Sequence, residues 1–283
     1  MPVFFAPVAR LYRLHPFRFQ LADRPRPAWP VECRTMTLNL AAYHFVAIDD
    51  APALAERLRQ RAEADALLGT MLVAEEGINL FLAGVETSLR DFVDWLRADP
   101  RFAGMQVKYS HSRRAPFDKL KVKRKREIIA FRRPDAAPLG AGGRAPSVTP
   151  QQLARWLDQG HDDEGRPVRL LDTRNREEVA HGSFADALTL PIDNFVDFPA
   201  ALAARREALD DATVVPFCTG GIRCEKAARW MQANGFDHVR QLDGGILGYF
   251  EAVGGAHYDG RCFVFDQRVA LDPALRPLCD DAA

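Results

Sequence analysis

One stretch constrains this 283-residue chain more than any other: Val214-Val215-Pro216-Phe217-Cys218-Thr219-Gly220-Gly221-Ile222-Arg223-Cys224. An apolar run of strand character stops at a cysteine, a short glycine-bearing loop follows, and a helical pattern begins. Strand, short loop and helix in that order are the repeating unit of a parallel sheet covered on both faces. A loop at this junction can turn several backbone N–H groups toward one point, at a helix N-terminus whose dipole favours an anion. A thiol at its base is drawn toward thiolate. Gly220 and Gly221 let the backbone close around Cys218, and Arg223 adds a positive charge. The arrangement suits a nucleophilic sulfur, or one that holds a persulfide or an oxyanion. A cysteine that only fills core space would explain neither the glycine pair nor the arginine. Cysteine-dependent phosphatases place an arginine after the cysteine and five further residues; that position is Cys224 here, so the spacing disfavours phosphatase chemistry. Cys218 is therefore the candidate catalytic residue, in a loop with Thr219, Gly220, Gly221, Ile222, Arg223 and Cys224. Cys224 either resolves an oxidised Cys218 or simply packs in the first helical turn.

The surrounding residues 148–256 alternate strands and helices. Strands are expected at 168–172, 188–190, 214–217 and 239–242, and helices at 149–157, 199–209, 225–234 and 246–253, with Gly235 closing the third helix. Residues 134–147, rich in proline and glycine with little to bury, read as a linker. Before it, residues 36–133 give strand 43–48, helix 52–68, a hairpin of 70–73 and 78–82 around Glu75-Glu76-Gly77, helix 87–98 and strand 107–110. This is the order of a ferredoxin-like βαββαβ domain. Residues 257–283 form a C-terminal extension. Residues 1–35 hold six prolines and six arginines without periodicity and read as a disordered arm or a mis-called start.

The formal net charge is zero, from 38 basic and 38 acidic residues, but the zero is a cancellation. Five of the six lysines lie between positions 108 and 125, and residues 107–133 alone carry a net charge of +9. Lys119-Leu120-Lys121-Val122-Lys123 alternates at period two, so as a strand it would present its three ammonium groups on one face. With Arg113, Arg114, Arg124, Lys125 and Arg126 it forms a basic strip suited to a phosphate backbone. A lysine-guarded sheet edge would look the same. Tyr109, Phe117 and Phe131 are the aromatic candidates for base stacking near it.

No apolar run approaches the roughly 18 residues of a membrane span. Five cysteines in a long chain, with no Cys-x-x-Cys, do not make a disulfide framework or a zinc site. A cytoplasmic protein with reduced thiols is expected, with Cys33, Cys262 and Cys279 as bystanders. The seven histidines show no metal-ligand spacing, and no flavin, haem or nicotinamide motif occurs, so no metal or cofactor is expected from the sequence. Glu75 and Glu76 could act as acid or base but read first as a polar hairpin tip; Asp172 and Arg174 read as structural.

The loop Cys218-Thr219-Gly220-Gly221-Ile222-Arg223, with Leu170-Leu171-Asp172-Thr173-Arg174 and Leu242-Asp243-Gly244-Gly245, resembles the rhodanese family. More narrowly, the loop continued through Cys224-Glu225-Lys226 is similar to the rhodanese-like tRNA uridine hydroxylases. So are Glu75-Glu76-Gly77-Ile78-Asn79, Pro116-Phe117-Asp118-Lys119-Leu120-Lys121-Val122-Lys123 and Cys262-Phe263-Val264-Phe265-Asp266. The resemblance runs from about residue 40 to about residue 273 and implies two domains, ferredoxin-like then rhodanese-like with a doubly wound parallel sheet. It also implies oxygen-dependent 5-hydroxylation of the wobble uridine of tRNA, with molecular oxygen as co-substrate and Cys218 essential. Longer relatives continue into a cysteine-rich tail, whereas this sequence stops shortly after Cys279. The loop alone is equally compatible with a sulfurtransferase working through a Cys218 persulfide, and the strip alone with a non-catalytic RNA-binding module.

Overall fold

The computed structural model describes residues 36–140 and 143–278. The expected arm or mis-called start at 1–35, with Cys33, and Cys279 lie outside the described residues. The first domain runs β1 (Thr37–Phe45), α1 (Ala51–Ala64), β2 (Leu68–Ala74), β3 (Gly77–Gly84), α2 (Glu86–Arg97), β4 (Val107–Ser112) and β5 (Leu120–Arg124). The strands lie in the order β4-β1-β3-β2-β5. Each of the first four is antiparallel to its neighbours among them, the ferredoxin-like arrangement, and β5 adds a fifth, parallel to β2. β1 starts earlier than expected: Leu38, Leu40 and Ala42 are weak strand formers, but pairing on both edges and burial decide their state. α1 stops short of Leu68 because Ala66 turns to φ +53° and redirects the chain into β2.

Both helices cover one face of this sheet. Leu38, Met71, Val73, Leu80 and Leu82 from the strands pack with Leu54, Leu58, Leu89 and Phe92 from the helices. Leu120 and Val122 of β5 turn toward this core. By strand alternation, Lys121 and Lys123 then share the opposite face with their β2 partners Thr70 and Leu72.

The chain between the domains is not the empty linker expected. Ala136 and Ala145 of the expected linker are buried in the second domain's core, as is Phe131 just before it, and Pro134–Ala136 forms a 3₁₀ turn. Proline and glycine signal a break in regular structure, not an absence of packing.

The second domain contains β6 (Ser147–Val148), α3 (Pro150–Gln159), β7 (Val168–Asp172), α4 (Arg176–Val179), β8 (Gly182–Phe184), β9 (Leu188–Thr189), α5 (Phe198–Ala203), β10 (Thr213–Phe217), α6 (Ile222–Ala233), β11 (Gln241–Leu242) and α7 (Gly245–Val253). The parallel pieces β10-β7-β9 and β11-β6 are joined by a parallel bridge between Val214 and Val239. Successive residues of one strand enter different cores. Val214 and Leu171 join Phe198, Leu202 and Met231 on one side, while Val215, Phe217 and Leu170 join Trp156, Ile246 and Tyr249 on the other. The expected helix 199–209 is split into α5 and a 3₁₀ turn at Arg206–Leu209.

The C-terminal residues are part of this domain. β12 (Tyr258–Gly260) pairs antiparallel with β8, and β13 (Cys262–Phe263) with β14 (Ala270–Leu271) makes a hairpin. Among the described residues, no helix is long and apolar enough to cross a membrane.

Candidate active site

Cys218 ends β10, and the loop to α6 curls around its sulfur. The Gly221 N–H donates to Cys218 Sγ at 3.1 Å, and the Arg223 N–H adds a second backbone donor. Gly221 has φ +101°, a left-handed conformation that a side chain would strain. Gly220 stands in open space with no such demand, so of the pair only Gly221 is required by the backbone. A second glycine from a distant turn matters as much. The Ile246 and Leu247 N–H groups donate to the Cys218 and Thr219 carbonyls at 2.9 and 3.0 Å. A Cβ on Gly245 would lie 2.4 Å from the Cys218 oxygen, so that approach requires glycine.

Burial pushes the Cys218 thiol up, yet its pKa falls to about 6. A hydrogen bond from the Cys224 thiol, the Arg223 charge and the two backbone N–H donors outweigh desolvation. Cys224 moves the opposite way: burial and the neighbouring Cys218 hold its thiol well above the ordinary range. Its sulfur also lies 3.9 Å from Thr173 Oγ1. Cys224 is thus a proton-bearing neighbour of a thiolate. Burial pushes Cys262 up to about 12, which leaves it inert.

The charge of Arg223 is held internally. Both terminal nitrogens donate to Glu178 at 2.6 Å, and both residues are buried. Glu178 also accepts the Asn175 N–H at the start of α4. Arg174 pairs with Asp172, both fully buried, and donates to the Gly182 carbonyl at 2.7 Å. These pairs frame the loop.

Other motif residues join the domains. Tyr43 and Arg144 donate to Glu225 at 3.1 and 2.8 Å, and Gln241 donates to its second oxygen at 2.9 Å. Lys226 donates to Glu76 at 2.8 Å and to the Ile129 carbonyl at 3.0 Å; Glu76 also accepts the Ile128 N–H. The hairpin tip is therefore divided: Glu75 is exposed, whereas Glu76 is a connector.

Cys218, 1% exposed, lines a cavity of about 1050 Å³ between the sheet face opposite the helices and the second domain. Tyr43, Lys108, Arg144, Phe265 and Arg268 share its wall. Phe265, at the tip of the β13–β14 hairpin, is 54% exposed. Arg268 donates to Ser110 of β4 at 2.6 Å and ties the hairpin to the first domain. A second hollow continues past Phe265 and Asp266 to Phe117, Lys119 and Lys121. Within the basic strip, Lys125 reaches the main cavity, while Arg113, Arg114, Lys123, Arg124 and Arg126 are exposed around β4 and β5. Of the stacking candidates, Phe131 is core, stacked on Phe195 with centroids 4.5 Å apart, and Tyr109 lies under Arg90. Phe265 is an exposed aromatic absent from the stacking candidates; it lies in the Cys262–Asp266 motif, but its exposure depends on the hairpin and is not visible in the sequence. Among the described residues, no cluster of His, Cys, Asp or Glu could hold a metal ion.

Residues 37–128 match the UPF0176 acylphosphatase-like domain, and residues 149–252 match the rhodanese-like domain. A tRNA uridine(34) hydroxylase of Xanthomonas euvesicatoria is 64% identical over 245 residues, 87% of this chain and 98% of that protein. The chain belongs to the tRNA uridine(34) hydroxylase family. Family members of the same name in Xanthomonas campestris and Xylella fastidiosa are 64% and 58% identical, over 88% and 86% of this chain and 97% and 94% of theirs. Family membership accounts for the two-domain α/β fold and the rhodanese-type cysteine together.

Proposed function

We propose that this chain hydroxylates C5 of uridine 34 in tRNA, with Cys218 Sγ as the atom that engages the ring. The observation that carries this reading is the near full-length identity to proteins named tRNA uridine(34) hydroxylase. The site's geometry supports it. A thiol near pKa 6 is mostly thiolate at neutral pH, and thiolate is the nucleophilic form. Addition of Sγ to C6 of uracil moves the C5=C6 electron pair into an enolate over C5, C4 and O4, which makes C5 electron-rich. Once C5 carries oxygen, loss of the C5 proton and expulsion of Sγ restore the double bond. In the net reaction, one atom of molecular oxygen replaces the C5 hydrogen as hydroxyl. The other leaves as water, using two electrons and two protons from an external reductant.

The groove from Lys119 and Lys121 past Phe265 to the Cys218 cavity suits a tRNA strand. Arg113, Arg114, Lys119, Lys121, Lys123, Arg124, Lys125 and Arg126 would contact phosphates, and Phe265 would stack on a base next to or at position 34. A tRNA substrate supports a cytoplasmic location. Mass analysis of wobble nucleosides from cells lacking the gene tests the function: 5-hydroxyuridine derivatives should fall, and undiminished levels in a strain with no second route would refute it. Sulfur transfer through a Cys218 persulfide is the second reading, favoured by the backbone donors around Sγ. It requires a one-sulfur mass gain on Cys218 after thiosulfate treatment, with turnover to an acceptor.

A further inference from the structure

Lys108 differs from the chain's other described lysines. Lys226 is ion-paired to Glu76, and Lys119, Lys121, Lys123 and Lys125 are exposed. Lys108 is partly buried in the wall of the Cys218 cavity, and among the described residues its ammonium makes no hydrogen bond or ion pair. It comes from β4 of the first domain and ends on the backbone of the second. A Cβ on Gly244 would lie 3.0 Å from its Nζ, and one on Gly248 would lie 3.7 Å away. The residue after Gly244 is Gly245, packed on the Cys218 carbonyl. Two side-chain-free positions therefore make room for this ammonium beside the cysteine loop. Burial lowers its pKa, opposed by the charges of Asp243, Glu251 and Cys218, with Arg144 adding to the lowering. An unpaired, partly desolvated ammonium lowers stability, which is consistent with a partner that arrives with the substrate.

We propose that Lys108 is a second catalytic residue: its ammonium hydrogen-bonds O4 of the uracil and stabilises the negative charge that reaches O4 when Cys218 Sγ adds to C6. The proposal rests on the thiolate-addition reading above. In the step, the sulfur lone pair forms the S–C6 bond, the C5=C6 pair moves toward C4, the C4=O4 pair becomes oxygen-centred, and Lys108 keeps its proton while donating. Lys108 is partly desolvated in this wall, so a fixed donor there acts more strongly than in bulk water.

The test separates addition from oxidation. The full chain and substrate tRNA are incubated without oxygen in deuterated water, and deuterium at C5 of uridine 34 is measured by nucleoside mass analysis. Reversible addition allows the enolate to take deuterium at C5, then to lose the original hydrogen and expel the sulfur. Wild type should exchange, and Cys218→Ala should not. Lys108→Met at saturating tRNA should exchange about a hundredfold more slowly, with tRNA affinity unchanged within about twofold and partial recovery in Lys108→Arg. Exchange by Lys108→Met at the wild-type rate would overturn the role of Lys108. So would an effect confined to affinity, with the salt slope reduced by about one, which marks a phosphate contact. Absence of exchange in wild type would instead refute thiolate addition itself, and Lys108's role with it. Should Lys108→Met fail to fold, Lys108→Gln carries the same comparison.

Discussion

The loop around Cys218 and the strip along β5 both concentrate positive charge, and they use it in opposite ways. In the loop, Arg223 and Arg174 are buried and matched one for one by Glu178 and Asp172. Their charge is spent on architecture, and only the residual field of Arg223 reaches the sulfur. In the strip, Lys121 and Lys123 stand exposed on the sheet face that carries Thr70 and Leu72, while Leu120 and Val122 anchor the strand. Buried charge without a partner is costly, so it becomes structural; exposed charge is cheap and remains available to a ligand. Lys108 lies between the two cases, partly buried and without a partner among the described residues.

The sharpest break of this comparison is at the sulfur. Cys218→Ala should abolish hydroxylation, a loss on the order of a thousandfold or more. In the wild type, alkylation of Cys218 followed by peptide mass mapping should show a midpoint near pH 6. Because its folded pKa is depressed, the thiolate is present above that pH and lost as pH falls through it. Cys224 and Cys262, both raised, should remain unmodified near neutrality. A Cys218 midpoint near the free-thiol value would show that the loop's donors and Arg223 fail to offset burial.

Next comes Glu178→Gln, which leaves Arg223 buried without its counter-charge. Urea unfolding should show a loss of about 3–5 kcal/mol. An unchanged midpoint would mean that Arg223 is free to reach solvent and that its charge resembles the strip's. Phe265→Ala should weaken tRNA binding by about 1–3 kcal/mol with the fold intact, because the ring is exposed in the free protein. Undiminished affinity would remove it as a stacking platform. The smallest effect is at the strip. Single charge reversals Lys121→Glu and Lys123→Glu should each weaken binding and lower the slope of log affinity against log salt by about one. A slope identical to wild type would make β5 a guarded edge and nothing more.

Much of the fold was legible because the signals are local. The helices of the first domain show one apolar stripe each, and β10 is a continuous apolar run that ends at its own cysteine. The cradle was legible for the same reason: cysteine, glycines and helix start are contiguous. The packing of 131–145 was not, since a proline- and glycine-rich stretch advertises its turns and hides the few residues that it buries. The connectors were half legible. Glu76 and Lys226 each belong to a recognisable motif, but they lie 150 residues apart, and nothing in either motif names the other.

By itself, then, the sequence determined the two α/β domains, the cysteine at a strand-to-helix turn, and the clustering of lysine in one short segment. Each depends on backbone periodicity or on neighbours along the chain. The tertiary structure alone decided that Tyr43 meets Glu225 across 182 residues. It also decided that Phe265 stands between the strip and the cavity, and that Lys108 comes to rest on Gly244 and Gly248 beside the loop. Those placements follow from how the two domains and the C-terminal hairpin pack, and packing joins residues whose separation along the chain leaves no periodic trace.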